Sequence, residues 1–113
     1  MTLLYRGHPG EDCFKTDETR GLSCTESRDV AKNYALDYSR QCNGPAFLTT
    51  FELEGEITLS EEPRFRGPDS FKFLVSQYSR IKHIAVKTAC GTLVVVFDTG
   101  RLRLIQVEQV IAE

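Results

Sequence analysis

Two short stretches near the start of the chain carry side chains that could bind an anionic ligand. Arg6 and Gly7 stand in LYRGH, where an arginine offers a planar fork of donors for a diphosphate and a glycine allows close backbone approach. Ser23 and Thr25 stand in SCT, which is expected to be a turn ahead of a predicted helix, where hydroxyls and free backbone N–H groups can hold phosphate or ribose oxygens. Tyr34, on that helix, could provide a flat surface for a ring. Together these residue types suit a phosphorylated nucleotide.

Each feature also has a simpler structural interpretation. An RG dipeptide after a strand is commonly part of a turn, and SCT before a helix is commonly a helix cap. Tyr34 and Tyr38 lie four residues apart, a spacing that is typical of core side chains on one helix face. The order and spacing of the three features therefore favour a ligand site more than any one of them does.

The elements that would position these residues are predicted from hydrophobic periodicity and turn residues. A first strand is expected at 3–6, and the polar stretch 7–20 is expected to be a loop. A helix follows, with Thr25 or Ser27 as its N-cap and an end at the NGP sequence, residues 43–45. Its predicted buried face consists of Val30, Ala31, Tyr34, Ala35 and Tyr38.

The second half of the chain is predicted to be mostly strands. AFLTTFEL favours a strand at 46–53, and EGEITL favours a turn into a short strand, followed by a loop. A second helix is expected at 70–81, and HIAVKT, TLVVVFD and LRLIQVEQVI are expected to be strands, the last two separated by a turn at 99–100. The run at 93–97 is apolar throughout, so that strand is expected to be buried on both faces. This order of elements predicts an α+β domain.

Length and charge narrow the classes of function. A chain of 113 residues predicts one domain, spanning 1–113, and a net charge of -2 makes nucleic-acid binding unfavourable because phosphate neutralisation supplies most of that affinity. The sequence has neither a 20-residue apolar run nor the pattern of a signal peptide, so we expect a cytoplasmic protein with no membrane contact.

The cysteines and histidines do not predict a metal site. No two of the four cysteines have the C-x2-C spacing of a zinc site, and the two histidines form no ligand pattern with them. In a cytosolic protein we therefore expect four reduced thiols and no structural metal. The cysteines are Cys13, Cys24, Cys42 and Cys90.

Four stretches in the same order resemble the sequence landmarks of the ADP-ribosyltransferase superfamily: LYRG, GLSCTESRDVAKNYA, AFLTTFEL and TLVVVFDTGRLRLI. Its small bacterial and phage-associated members are the most similar. The resemblance implies mixed β-sheets with two principal helices, and NAD as the substrate. It implies that Arg6, with Gly7, holds the NAD phosphates or ribose, that Ser23 and Thr25 shape the nicotinamide pocket, and that Tyr34 lines it.

The chain departs from this family at the catalytic glutamate. In that chemistry a carboxylate grips the ribose hydroxyl and stabilises the oxocarbenium-like state as nicotinamide leaves, and losing such a contact costs a factor of roughly 100–1000 in rate. Thr92 or Leu93 occupies the expected position ahead of the strand Val94–Phe97. Glu108, in QVE, is the replacement that we consider first, although it falls about 15 residues late, and Asp98 is a weaker candidate.

Three functions remain open from the sequence. The first is a mono-ADP-ribosyltransferase that moves ADP-ribose from NAD to a protein. The second is a catalytically degenerate relative that acts by binding a protein, for example as a phage inhibitor of a bacterial defence system. The third is a small α+β domain in which these matches are coincidental.

Overall fold

A computed structural model describes residues 2–14, 21–60, 74–76, 78, 83–88 and 92–112. Residues 74–76 are helical, and Thr99–Arg101 form a 3-10 turn. The remaining helix and the strands, in chain order, are β1 (Thr2–His8), β2 (Leu22–Thr25), α1 (Arg28–Cys42), β3 (Ala46–Leu53), β4 (Ile57–Leu59), β5 (Ala85–Lys87), β6 (Leu93–Val96) and β7 (Leu102–Val110).

The described strands form one mixed sheet of seven strands. Their order across the sheet is β4-β5-β6-β2-β1-β3-β7, with β4 and β7 at the two edges. Only β4 and β5 pair in parallel among these strands, and the other pairs are antiparallel. With two helical segments beside this sheet, the predicted α+β class is confirmed.

The two faces of the sheet bury different sets of side chains. Successive residues of a strand point to opposite faces, so the cross-strand pairs Tyr5–Thr25 and Arg6–Thr49 lie on different faces. The face that carries Arg6, which we call the Arg6 face, holds the larger buried cluster. That cluster includes Leu4, Leu22, Cys24, Phe51, Leu53, Val94 and Val96.

The opposite face, which we call the helix face, lies against α1 and the helical residues 74–76. It buries a smaller cluster in which Leu74 packs with Val86, Val95 and Phe97. Because Val94, Val95 and Val96 are all fully buried, β6 is covered on both faces, as its apolar run predicts.

Helix α1 begins and ends at the residues that the sequence indicates. The side chain of Ser27, the N-cap, accepts a hydrogen bond from the backbone N–H of Val30 at 3.3 Å, and Asp29 lies in the first turn, where a negative charge is favourable. Asn43 caps the C-terminus in the left-handed conformation, with φ at 56°. Both predicted boundaries of this helix are confirmed.

The prediction that the tyrosines of α1 are buried is wrong. Ala31, Ala35 and Ser39 are buried, whereas the side chain of Tyr34 is 58% exposed and Tyr38 is only half-buried. Three small residues at a spacing of four allow the helix backbone to approach the sheet closely, and a tyrosine ring would hold it away. The tyrosines therefore lie beside the contact stripe.

Several strand predictions are confirmed and two are corrected. The strands at 46–53, at ITL and in the last three segments occur as predicted. The first strand is longer than expected and includes Gly7 and His8, so the following loop begins later. Residues 23–25, expected to be a turn, are the end of β2. The predicted loop after β4 and most of the predicted helix at 70–81 lie outside the described residues.

In the part of the chain that is described, no helix has the length and apolar character needed to cross a membrane.

Candidate functional site

Arg6 lies near the end of β1, on the Arg6 face, among buried polar groups. Its side chain is half-buried, and Nη1 donates a hydrogen bond to the backbone carbonyl of Ser23 at 2.8 Å. Its positive charge acts on the thiols of Cys13 and Cys24 and on the imidazole of His8. The guanidinium therefore links β1 to β2 within a cluster of polar side chains.

His8 is the centre of this polar cluster and is not among the predicted site residues. It is 1% exposed; Nδ1 lies 2.6 Å from the carbonyl oxygen of Gly10, and Nε2 lies 2.6 Å from Oγ1 of Thr49. A carbonyl oxygen can only accept, so Nδ1 carries the proton and Nε2 accepts from the threonine hydroxyl. The available signal was strand alternation, since His8 follows Leu4 and Arg6 at a spacing of two.

A hydroxyl bonded to a neutral imidazole has the arrangement of an activated nucleophile and its base. Thr49 is 0% exposed, however, and Phe47 stacks on the ring of His8 with 5.9 Å between ring centroids. Among the described residues, this burial separates the hydroxyl from any substrate carbonyl or phosphoryl group. We therefore assign the pair a structural role, fixing the start of the 9–14 segment to β3.

Burial lowers the pKa of His8 below its ordinary value of 6.5. The hydrogen bond to Gly10 opposes this shift, the charge of Arg6 adds to it, and the exposed Asp12 opposes it. The folded protein therefore holds the imidazole neutral, and protonation favours the unfolded chain.

Stability is expected to depend on pH through this group. Because the folded pKa is the lower one, its contribution is fully present above about pH 6.5 and decreases as the pH falls, by at most about 1.4 kcal/mol per pH unit. Urea unfolding at about pH 7.5 and about pH 5.5 measures the loss. His8→Asn should reduce the difference between the two pH values. An equal difference in the wild type and in this variant would contradict the assignment.

The two buried thiols, those of Cys13 and Cys24, are not activated. Burial raises the pKa of Cys24 to about 12 and also raises the pKa of Cys13, so both remain protonated near neutral pH despite the nearby charge of Arg6. Cys13, Cys24 and the exposed Cys42 are free thiols, and Cys90 lies outside the described residues. Among the described residues, no group of three histidine, cysteine or acidic side chains could hold a metal ion.

Gly7 lies on the helix face and is covered by α1. A Cβ atom at this position would lie 2.4 Å from the carbonyl oxygen of Ala31 and 2.7 Å from the backbone nitrogen of Ala35. The close approach for which a glycine is needed is therefore made by the helix backbone. The role of Gly7 beside a bound ligand stays a prediction.

Ser23 and Thr25 also lie on the helix face, opposite to Arg6. Thr25 pairs with Tyr5, and Ser23, two residues earlier on β2, shares its face. Thr25 is buried, and its hydroxyl accepts a hydrogen bond from the backbone N–H of Ser27 at 3.1 Å, just before α1. The two hydroxyls and the guanidinium therefore do not face a common pocket.

Glu108 lies on the helix face of β7 and is engaged by α1. It pairs with Leu48 across the strands, and both carboxylate oxygens accept from Nη2 of Arg28, at 3.0 and 3.1 Å. Arg6 of β1 pairs with Thr49 of β3, and Thr49 pairs with Val107 of β7. Glu108 follows Val107, so it lies two strands away from Arg6 and one residue further along the strand direction. Two strand spacings amount to about 10 Å, but the two side chains project from opposite faces of the sheet.

The residues ahead of β6, where the family carries its catalytic glutamate, do not supply a carboxylate. Leu93 pairs with Thr25 and packs against the helix-face cluster, and the backbone carbonyl of Thr92 accepts from the N–H of Glu26. Asp98 begins the 3-10 turn and forms an ion pair with Arg101. Of the described carboxylates, Asp12 acts on the cluster around His8, and its Oδ1 accepts from the backbone N–H of Phe14.

The predicted site residues are thus close along the chain and the sheet but divided between its faces. Arg6 lies with His8 and Thr49, whereas Gly7, Ser23, Thr25, Tyr34 and Glu108 lie on the side of α1. Neither a protein-family model, nor a curated protein, nor a solved structure matches the chain.

Proposed function

We propose that this chain is a protein-binding domain with an ADP-ribosyltransferase-like order of elements and without transferase activity. The observation that carries the proposal is the division of the predicted NAD residues between two faces of one sheet. Arg6 lies on one face of the sheet, and Ser23 and Thr25 lie on the opposite face, which α1 covers. A nicotinamide nucleotide would need these groups on one side.

The state of the candidate catalytic carboxylate supports the same proposal. The carboxylate of Glu108 is already bound by Arg28, and its side chain is 31% exposed. To act on a ribose held by Arg6 it would have to break this ion pair and reach the opposite face of the sheet. Transition-state stabilisation requires charges that are positioned in advance, so this arrangement disfavours transfer chemistry.

Exposed apolar side chains supply the contact surface that a protein-binding domain needs. Leu104, Ile105 and Val107 on β7 are 41–50% exposed, and neighbouring exposed apolar groups of this kind mark contact sites. Tyr34 is 58% exposed on α1, away from the Arg6 face, and tyrosine is enriched among residues that dominate interface energetics. A transferase remains the competing function, and NAD is the ligand that separates the two.

Calorimetric titration with NAD tests the proposal. We expect no saturable heat up to about 1 mM NAD, the upper end of ordinary KM values. Arg6→Ala should give the same flat titration as the wild type. Saturable binding by the wild type that Arg6→Ala abolishes would contradict the proposal and would restore the transferase hypothesis.

A further inference from the structure

The strand β7 is a long edge strand whose apolar side chains are exposed. It spans nine residues and lies last in the described sheet, next to β3. Its apolar side chains Leu104, Ile105 and Val107 are 50%, 46% and 41% exposed. A long apolar edge strand presents backbone donors and acceptors to a further strand.

A register shift determines which β7 side chains share a face. Thr50 pairs with Gln106 and Phe51 pairs with Leu104, so Ile105 is an extra residue in β7. Because of this β-bulge, residues on its two sides that are an odd number of positions apart project to the same face of the sheet. Arg103, opposite Glu52, and Glu108, opposite Leu48, lie on the helix face; Leu104, opposite Phe51, and Val107, opposite Thr49, lie on the Arg6 face.

We infer that β7 pairs antiparallel with β7 of a second copy of this chain, about a two-fold axis at residues 105 and 106. In this register Arg103 faces Glu108 of the second copy, and Leu104 faces Val107 of the second copy. Symmetry repeats both pairs, as in any isologous interface. Both of these pairs join side chains on the same face of the extended sheet, which an antiparallel ladder requires.

Charge complementarity selects this occupant and this register. Within one protomer Arg103 pairs with Glu52 at 2.8 Å, and Arg28 pairs with Glu108 at 3.0 Å. In the dimer the row from β3 to the second copy's α1 becomes Glu52, Arg103, Glu108 and Arg28, with the charges alternating. The side chain of Arg103 is 71% exposed in the single chain and can reach a second carboxylate. On the other face, two apolar pairs cover side chains that are otherwise exposed.

This inference deepens the proposed function, because it names the partner for the exposed apolar side chains of β7. Its failure is distinguishable from that of the proposed function, because its test involves neither NAD nor Arg6. Sedimentation equilibrium of the wild type measures it directly. We expect association to twice the monomer mass of 12.8 kDa. Arg103→Glu places two carboxylates opposite each other, and Glu108→Arg places two guanidinium groups opposite each other. Each variant alone should raise the dimer Kd about 10- to 100-fold.

Mixing the two variants tests the register. A heterodimer of Arg103→Glu with Glu108→Arg regains an opposite-charge pair at both positions, so an equimolar mixture should associate more tightly than either variant alone. Arg40→Glu makes the same change of charge on α1, where Arg40 pairs with Asp37, and should dimerise like the wild type. Far-UV circular dichroism establishes that each variant is folded. A monomeric wild type up to about 1 mM, variants that dimerise normally, or folded variants whose mixture does not associate would overturn the inference.

Discussion

Replacing Gly7 by alanine is expected to lower the free energy of unfolding by about 3 kcal/mol. The added methyl group would lie 2.4 Å from the carbonyl oxygen of Ala31 and 2.7 Å from the backbone nitrogen of Ala35. Both atoms belong to the helix backbone, so no side-chain rotation can relieve the overlap, and α1 must shift away from β1. That shift also disturbs the contacts of Ala31 and Ala35, which are fully buried.

Gly10→Ala is the matched control for this prediction. No atom lies within 4 Å of a Cβ at Gly10, and the residue is exposed. Urea unfolding monitored by circular dichroism gives both free energies. The Gly10 variant should remain within about 0.5 kcal/mol of the wild type. Equal stability of the two variants would show that α1 does not rest on Gly7.

Replacing Phe51 by alanine is expected to cost about 4 kcal/mol. Phe51 is fully buried in the cluster of the Arg6 face, on β3, and it is the largest of the fully buried side chains among the described residues. Its removal leaves a cavity in that cluster, beside a strand that is fixed by pairing with β1 and β7, so neighbouring side chains can collapse only partly. This tests whether the Arg6 face is a packed core.

Phe14→Ala is the control, because it removes the same ring from an exposed position. Phe14 is 43% exposed and packs against Phe51, with 5.4 Å between ring centroids. Its loss should cost about 1 kcal/mol, the size of one aromatic contact. Thermal unfolding of both variants provides the comparison. A smaller loss for Phe51→Ala than for Phe14→Ala would contradict the assignment of the core.

Local signals in the sequence determine much of the fold. The cap at Ser27 and the left-handed Asn43 set the ends of α1 because each satisfies backbone groups within a few residues. The alternating and β-branched run AFLTTFEL predicts β3 to the residue. These features depend on chemistry that a short window of sequence contains.

The same local signals could not predict that Tyr34 and Tyr38 lie beside the buried stripe of α1. Large and small apolar residues share the pattern that predicts burial, and the close contact with Gly7 decides that Ala31, Ala35 and Ser39 face the sheet. That contact joins residues more than 20 positions apart. A glycine in a strand, followed by small residues at a spacing of four in a helix, is the signal that would have predicted it.

Successive side chains of a strand project to opposite faces, and this alternation divides the candidate site residues between the two faces of the sheet. Ser23 and Thr25 were expected in a turn, where hydroxyls can point in many directions, but β2 extends through them and fixes their face. Glu108 is near Arg6 in the sheet, yet strand alternation and the bulge at Ile105 place it on the opposite face with Arg28. Neither the pairing of β1 with β2 nor the bulge is visible in a single sequence.

Release of nicotinamide from NAD is the most direct test of the central claim that this chain does not catalyse ADP-ribose transfer. The purified wild type, incubated with NAD and cell lysate as a source of acceptor proteins, should release nicotinamide no faster than lysate alone. Arg6→Ala and Glu108→Gln should give the same rate as the wild type. Steady release by the wild type that Arg6→Ala abolishes would contradict the account, because it would require Arg6 and a carboxylate to act on one bound nucleotide.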